Sequence, residues 1–370
     1  QQVSEHTILQ LSAVWACARI IAETISTLPL GLYEKTEAGR VSANGHPLYS
    51  IIHARPNADS TAAVFWEAMI VAMLLRGNAF AEMKVINGRL VALVFLAPCN
   101  LSITKDTAGN RIYRYATSDG GQRIIPESKI FRIPGFTTNG SWGLSAIEYG
   151  AGVFGSALAA ANAANNTFDN GLSQTVAFKI DRVLKPEQRA DFRKSVDAIS
   201  GAINAGKPAV LEGGMDVETV GINPKDAQLL ESREFSVEEI CRWFRVPPHM
   251  VGHTGNSTSW GTGIEQQMIG FLTFTLRPWL TRIEQAINKD LLSPCEQARL
   301  YAEFSIEGLL RADSTGRSAY LSTMVNNGLM TRDEGRAKEN LAPKGGNADV
   351  LTVQTALIPI DQLGQTIGQE

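Results

Sequence analysis

Apolar residues recur along this chain with two periods, and the switches between them divide it. Over residues 7–27, Ile8, Leu11, Trp15, Ala18, Ile21 or Ala22, and Ile25 fall at helical spacing, and Leu28-Pro29 ends the pattern. Leu30 to Lys35 reads as a strand, Pro47 to His53 as a short helix, and Thr61 to Leu75 as a longer one with Ser60 or Thr61 as N-cap. Gly77-Asn78 breaks that helix. Ala79–Ile86, the dipeptide Asn87-Gly88 and Arg89–Leu96 form the strongest hairpin signal, because a two-residue turn needs positive φ at both positions. Strands follow at Leu101–Lys105, Arg111–Thr117, Gln122–Ile125 and Ile130–Ile133, with Asp106-Thr-Ala-Gly and Asp119-Gly-Gly as turns. The first 140 residues therefore read as an α+β domain.

From Leu144 to Phe168 the period is helical, with Ile147, Ala151, Phe154, Leu158, Ala161 and Phe168 on one side and Asn170-Gly171 as the stop. A small α/β unit follows: strand Thr175–Ile180, helix Pro186–Asn204, and strands Ala209–Leu211 and Val217–Ile222. A second helix, Asp226–Arg245, places Leu230, Val237, Cys241 and Phe244 on one face and is stopped by Val246-Pro247-Pro248. The unit is thus inserted between two helices, which makes the pair a stalk with the unit at its tip. After a polar loop ending at Gly263, a stripe runs through Ile264, Met268, Leu272, Leu276, Leu280, Ile283, Ile287 and Leu291. Pro278 lies inside this stripe and predicts a kink there. Leu300–Ile306 reads as a strand, Asp313–Leu341 as largely helical with a break at Asn327-Gly328, and the last twenty or so residues as a loosely held tail.

Several segments carry a family resemblance. Asp226-Ala-Gln-Leu-Leu-Glu, Val246-Pro-Pro-His-Met-Val-Gly, Glu265-Gln-Gln and the helix through Leu276-Arg-Pro-Trp-Leu resemble the portal proteins of tailed double-stranded-DNA phages. So do Ser12-Ala-Val-Trp-Ala-Cys-Ala-Arg-Ile-Ile-Ala-Glu-Thr-Ile-Ser-Thr-Leu-Pro-Leu, His46-Pro-Leu-Tyr, Arg55-Pro-Asn, Leu75-Arg-Gly-Asn-Ala-Phe and Gly328-Leu-Met-Thr-Arg-Asp-Glu-Gly-Arg. The match runs from about residue 10 to about residue 350, and the shared order of the segments is its specific part. It implies an α+β portal-type fold: wing 1–143, stem helix 1 at 144–171, clip 172–225, stem helix 2 at 226–250, channel loop 251–263, kinked helix and return strand of the wing at 264–310, crown 311–345 and tail 346–370. The implied protein is a ring, a dodecamer by family habit, at one capsid vertex of the virion, assembled in the host cytoplasm. Its implied partners are further copies of itself, double-stranded DNA passing without sequence specificity, the terminase large subunit, a head–tail adaptor and the major capsid protein. The resemblance implies no cofactor and no catalytic residue.

Composition is consistent with this. Apolar residues make up 44% and charged residues 19%, ordinary for a globular chain, and the net charge of −3 supplies no overall basic field for gripping nucleic acid. The four cysteines lie far apart without a C-x-x-C pair, which points to reduced thiols and a cytoplasmic origin, and no signal-peptide pattern is visible. The stretch Ala151–Ala164 is apolar but rich in alanine and too short for a span of roughly 20 residues, so a membrane segment is not expected.

Candidate chemistry is sparse. Gly201-Ala-Ile-Asn-Ala-Gly-Lys-Pro208 matches G-x-x-x-x-G-K, yet puts proline where a P-loop needs a hydroxyl, and it ends a predicted helix instead of starting one. A nucleotide hydrolase using Gly201–Lys207 is the rival reading, and a ring-shaped adaptor that never touches DNA is the third. His249, His253 and Cys241 resemble a ligand set, but the prolines and glycines among them break helical spacing and no fourth ligand is evident, so no metal is expected. Lys185, Arg189, Arg193 and Lys194 share one face of the insert helix; with Glu187, Asp191 and Asp197 nearby they read as a solvated face or as a partner-binding surface. Ala157, Ala160, Ala161 and Ala164 form a small-residue face suited to close packing between subunits. In the polar loop, His253, Thr254, Asn256, Ser257, Thr258, Ser259 and Trp260 stand in a stretch from Val246 to Leu276 without one lysine or arginine. A loop that grips DNA statically would be basic, whereas one that touches sliding DNA should be nearly neutral.

Overall fold

The computed structural model describes residues 3–37, 39–117, 119–169, 175–180, 215–220, 235–253, 267–306, 314–339 and 341–352. The chain divides into two compact units, Gln1–Phe304 and Ser305–Glu370. In the first, the helical pattern over residues 7–27 is two helices, α1 (Glu5–Ile8) and α2 (Ser12–Ser26). Ser4 and Thr7 close α1 as a reciprocal capping box, and Leu11 then takes an extended conformation to restart the chain. Residue spacing alone did not show this interruption, because Ile8 and Leu11 keep the apolar phase across it.

Strand β1 (Leu30–Thr36) leads to β2 (Gly39–Ser42), which is exposed at every position and so leaves no apolar alternation to read. Helix α3 (Pro47–His53) carries proline in its first turn, where the missing N–H costs nothing. Helix α4 (Ala62–Arg76) is capped by Thr61 and ends on Gly77 at φ 76°, as its flanking residues predict. Trp66 of α4 is buried and its indole N–H donates to the Ile52 carbonyl at 2.9 Å, tying α4 to α3, while α2 packs along α4.

The predicted hairpin forms as β3 (Asn78–Ile86) and β4 (Arg89–Phe95), with Asn87 and Gly88 both at positive φ. Strand β8 (Ile130–Pro134) pairs with the other edge of β3, giving the order β4-β3-β8. Strands β5 (Leu101–Lys105), β6 (Arg111–Ala116) and β7 (Gln122–Pro126) make a second antiparallel sheet, and Phe80, Leu96, Tyr113, Ile125 and Ile130 fill the core between the two.

The predicted helix Leu144–Phe168 is also two pieces, α5 (Ala146–Tyr149) and α6 (Ala151–Asp169), separated at Gly150. A Cβ at Gly150 would lie 2.6 Å from the Phe154 ring and 2.7 Å from the Ala146 carbonyl oxygen, so the turn closes only around glycine. Strands β9 (Thr175–Ile180) and β10 (Met215–Val220) pair antiparallel; β10 starts two residues before the expected strand. The predicted helix Pro186–Asn204 and strand Ala209–Leu211 lie outside the described residues.

Helix α7 (235–244) is followed by a 3₁₀ turn at Pro248–Val251. The long helix is described from residue 267, passes through a π turn at Phe271–Leu276 and continues as α8 (Arg277–Asp290). After the short α9 (Pro294–Gln297), strand β11 (Leu300–Phe304) returns to β1, with Phe304 opposite Leu30, in the sheet order β11-β1-β2. Residues about 270 apart in sequence thereby share one sheet, and the run 267–304 belongs to the same unit as the N-terminal strands.

In the second unit, α10 (Ser314–Asn326) and α11 (Arg332–Lys338) are separated at Gly328, as the Asn327-Gly328 break predicts. Thr331 and Glu334 form a capping box, and the Asp333 carboxylate accepts from the Lys344 and Gly345 amides at 2.8 and 2.6 Å.

Candidate functional site

The elements of the first unit converge where the predicted stalk helices leave the β-rich part. Three glycines make the crossing possible. A Cβ at Gly143 would fall 1.7 Å from the Gly77 carbonyl oxygen, and Gly135 donates its N–H to that same oxygen at 2.7 Å. Asn78, buried, clasps Gly143 from both sides, its Nδ2 donating to the Gly143 carbonyl at 2.9 Å and its Oδ1 accepting the Gly143 N–H at 3.1 Å. Ser145 donates to the Leu75 carbonyl at 3.1 Å while its hydroxyl accepts the Glu148 amide, so the cap of α5 is pinned to the end of α4.

Opposite this crossing, α7 does not run on to the prolines. It ends on Arg245 at φ 55°, with the Arg245 N–H donating to Arg242 O at 3.2 Å and Val246 N–H to Cys241 O at 3.0 Å. This is the bonding of a Schellman motif with arginine in the left-handed position that glycine usually takes. That conformation costs a non-glycine residue about 1–2 kcal/mol. The Arg245 carbonyl it presents accepts the Thr275 hydroxyl at 2.5 Å, and Thr275 is buried within the π turn.

Just ahead of Pro278, where the sequence predicts a kink, the helix opens into a π turn. Proline lacks an N–H and its ring collides with the carbonyl four residues back, and the wider turn immediately ahead of α8 absorbs both defects. It also breaks the apolar stripe. From Leu276 the buried series steps back five residues to Phe271, leaving Leu272 only half-buried and Met268 exposed, because one extra residue per turn rotates everything before it.

Between these features lies a groove of about 380 Å³, bordered by Phe136, Tyr149, Trp243 and Phe274 and reaching Trp279 and Arg282. Arg282 donates to the Gly135 carbonyl at 2.6 Å, and burial pushes its guanidinium pKa down. Among the described residues no carboxylate pairs with it. Beneath the groove, Phe154 of α6 packs on Trp243 and Phe244 of α7 with ring centroids 6.1 and 6.4 Å apart. Cys17 of α2 and Cys241 of α7 are both buried, with sulfurs 4.0 Å apart, and the contact with Cys241 together with burial holds the Cys17 thiol well above its ordinary range.

The residues singled out from sequence are distributed unevenly. Ala157 is buried within its own chain, Ala160 and Ala161 are half-buried, and the side chain of Ala164 lies outside the described residues. His253 is half-buried, its N–H donating to Pro248 O at 3.0 Å and its Nε2 lying 4.0 Å from Glu238. Thr254, Asn256, Ser257, Thr258, Ser259 and Trp260 lie outside the described residues, as do Lys185, Arg189, Arg193, Lys194 and the segment Gly201–Lys207. Among the described residues no three His, Cys, Asp or Glu side chains cluster as metal ligands, and no helix is long and apolar enough to cross a membrane. Sequence reading missed the groove. The available clue was that Trp243, Phe274 and Trp279 stand off the apolar stripes of their helices.

Comparison with known proteins agrees with this architecture. Residues 12–340 match the family described as phage portal protein. The chain is 34% identical over 366 residues to the portal protein of Enterobacteria phage HK97, covering 98% of this chain and 86% of that one. It is 31% identical over 353 residues to the probable portal protein of Streptomyces phage phiC31, covering 93% and 77%. Among solved structures, a portal protein of the HK97 family from Corynebacterium diphtheriae superposes with a TM-score of 0.62 at 16% identity over 85% of this chain and 99% of that one. A chain in the neck of a native gene transfer agent particle, computed with C12 symmetry, superposes with a TM-score of 0.61 at 23% identity over 92% of each. The α+β architecture is that of a portal fold, in which a β-rich part carries a helix pair and a long helix returns to the first sheet. The chain belongs to the phage portal protein family.

Proposed function

We propose that this protein forms a closed ring at one vertex of a phage head, through which the genome is packaged and later ejected. The observation that carries this reading is the match to phage-borne portal proteins over nearly the whole chain, 98% in the case of the HK97 relative. The C12 symmetry of the gene transfer agent neck supports a twelve-membered ring. On this reading residues 1–143 with the return strand form the wing, the helix pair the stem, residues 172–225 the clip, 251–263 the channel loop and 311–345 the crown.

The ring works as a passive conduit that organises other components. The clip, with Lys185, Arg189, Arg193 and Lys194, docks the terminase large subunit during filling and the head–tail adaptor afterwards, while the wing meets the major capsid protein. The neutral loop from His253 to Trp260 touches duplex DNA through hydroxyl and amide groups, so that contacts exchange as the DNA slides. No step needs a catalytic residue, a metal or a cofactor. The test is direct: purified protein is imaged in negative stain and sized by light scattering, then supplied to a phage lacking its own portal gene. Rings with a central channel, and restored filled heads, are expected. A monomer that binds nucleotide would overturn the proposal.

A further inference from the structure

We infer that the groove bordered by Tyr149, Trp243 and Phe274 is the seat for a second copy of this chain, which enters it with the outer face of its α4. The inference rests on the ring reading above and assigns the two halves of one subunit contact.

Among the described residues nothing closes over the groove. Phe136, Tyr149 and Phe274 are 62, 63 and 70% exposed, yet they border one concavity instead of being scattered singly. Its chemistry narrows the occupant. Arg282 at its end is desolvated and finds a carbonyl but no carboxylate among the described residues, and the cost of a desolvated cation falls when an acid joins it. An apolar surface carrying one acidic side chain answers both needs. Duplex DNA brings phosphates but no apolar surface, and a small hydrophobic molecule leaves the guanidinium without its counter-charge.

The chain carries such a surface. On α4, Val64 is 59% exposed and Glu67, one turn later, pairs with no basic residue among the described residues. Elsewhere in this unit several acids beside exposed apolar residues are already answered, and Glu148, which is not, stands next to Tyr149 on the α5 that borders the groove itself. Glu238 and Glu239 beside Phe235 meet Arg242, Glu23 near Trp15 meets Arg19, and Glu82 beneath Val85 and Ile124 meets Lys84 and Arg123. Groove and α4 face are different surfaces of one protomer, so the contact is heterologous, the kind that propagates from copy to copy and closes into a ring.

The experiment uses full-length Phe274→Asp, with Trp243→Ser as a second groove variant, and Val64→Asp with Glu67→Lys on α4. All four side chains lie at least partly at the surface, so far-UV circular dichroism should match wild type. Each variant alone should need about tenfold or more protein for half-assembly than wild type in light scattering. Mixed Phe274→Asp and Val64→Asp proteins retain one intact groove and one intact α4 face between them, and should form 1:1 dimers that grow no further. Wild-type rings from either variant, or a mixture that stays monomeric, would overturn the inference while leaving the portal reading in place. Failure of the wild-type protein to form rings would sink the portal reading itself.

Discussion

Arg245 and Thr275 show how single residues hold the junction. Arg245 adopts a left-handed backbone to end α7, and the exposed carbonyl is met by the buried Thr275 hydroxyl at 2.5 Å. Thr275→Val keeps the volume but removes the donor, so it should lower stability by about 1–3 kcal/mol in denaturant titration, with an unchanged m-value. Thr275→Ser retains the hydroxyl and should lose clearly less. A second residue-scale prediction concerns Glu296. Its carboxylate accepts from the Ser293 hydroxyl and amide at 2.7 and 2.8 Å and lies 3.1 Å from His46 Nε2, which together bring its pKa down to about 2. A depressed carboxylate contributes stability above its unfolded value of about 4.3, and that contribution is lost as pH falls toward 2. Solvent exposure keeps the contribution below about 1 kcal/mol. The melting temperature of Glu296→Gln should therefore trail wild type at pH 7 and draw level with it as the pH is lowered below 4. A gap that stays constant over that range would mean the carboxylate's charge is not what stabilises α9.

At the scale of elements, helices here are shaped by what crosses them. The helical run from Ala146 to Asp169 breaks at Gly150 and the long helix widens into a π turn ahead of Pro278, and both interruptions lie beside the groove. Beyond Gly150, α6 is rich in alanine; Ala157 already packs inside the chain, while Ala161 is only half-buried. If the half-covered side of α6 meets the next subunit, Ala161→Leu adds volume to every interface of the ring, at about 1–3 kcal/mol per site. Light scattering should then show a shift from rings toward monomers. Rings of normal yield would place this side of α6 in solvent.

For the whole molecule, the decisive quantity is how strongly the channel holds DNA. If the loop meets the DNA as proposed, Ser257→Lys with Ser259→Lys adds two phosphate contacts per subunit, and each contact steepens the salt dependence by about 0.9. Heads made with this variant should contain less DNA at low salt and recover as salt is raised, while rings still assemble. Full heads at every salt concentration would show that the loop does not meet moving DNA.

Much of this protein was settled by the order of its residues. The Asn87-Gly88 hairpin, the Thr61 cap, the Gly77 stop, the strands between residues 79 and 134 and the break at Gly328 all rest on local rules, since a turn needing positive φ or a helix needing a cap is specified within a few residues. Family membership was equally legible, because several short segments keep one order along the chain. Tertiary structure alone decided the rest. The pairing of β11 with β1 joins residues about 270 apart, and no local pattern encodes a partner at that distance. The π turn appears only once Thr275 must face Arg245 while Leu276 and Leu280 stay buried, a demand made by packing and not by period. The groove is a relation among α5, α7, the π turn and α8. Trp243, Phe274 and Trp279 stand off the apolar stripes of their helices in sequence, and only the assembled unit shows that they border one concavity.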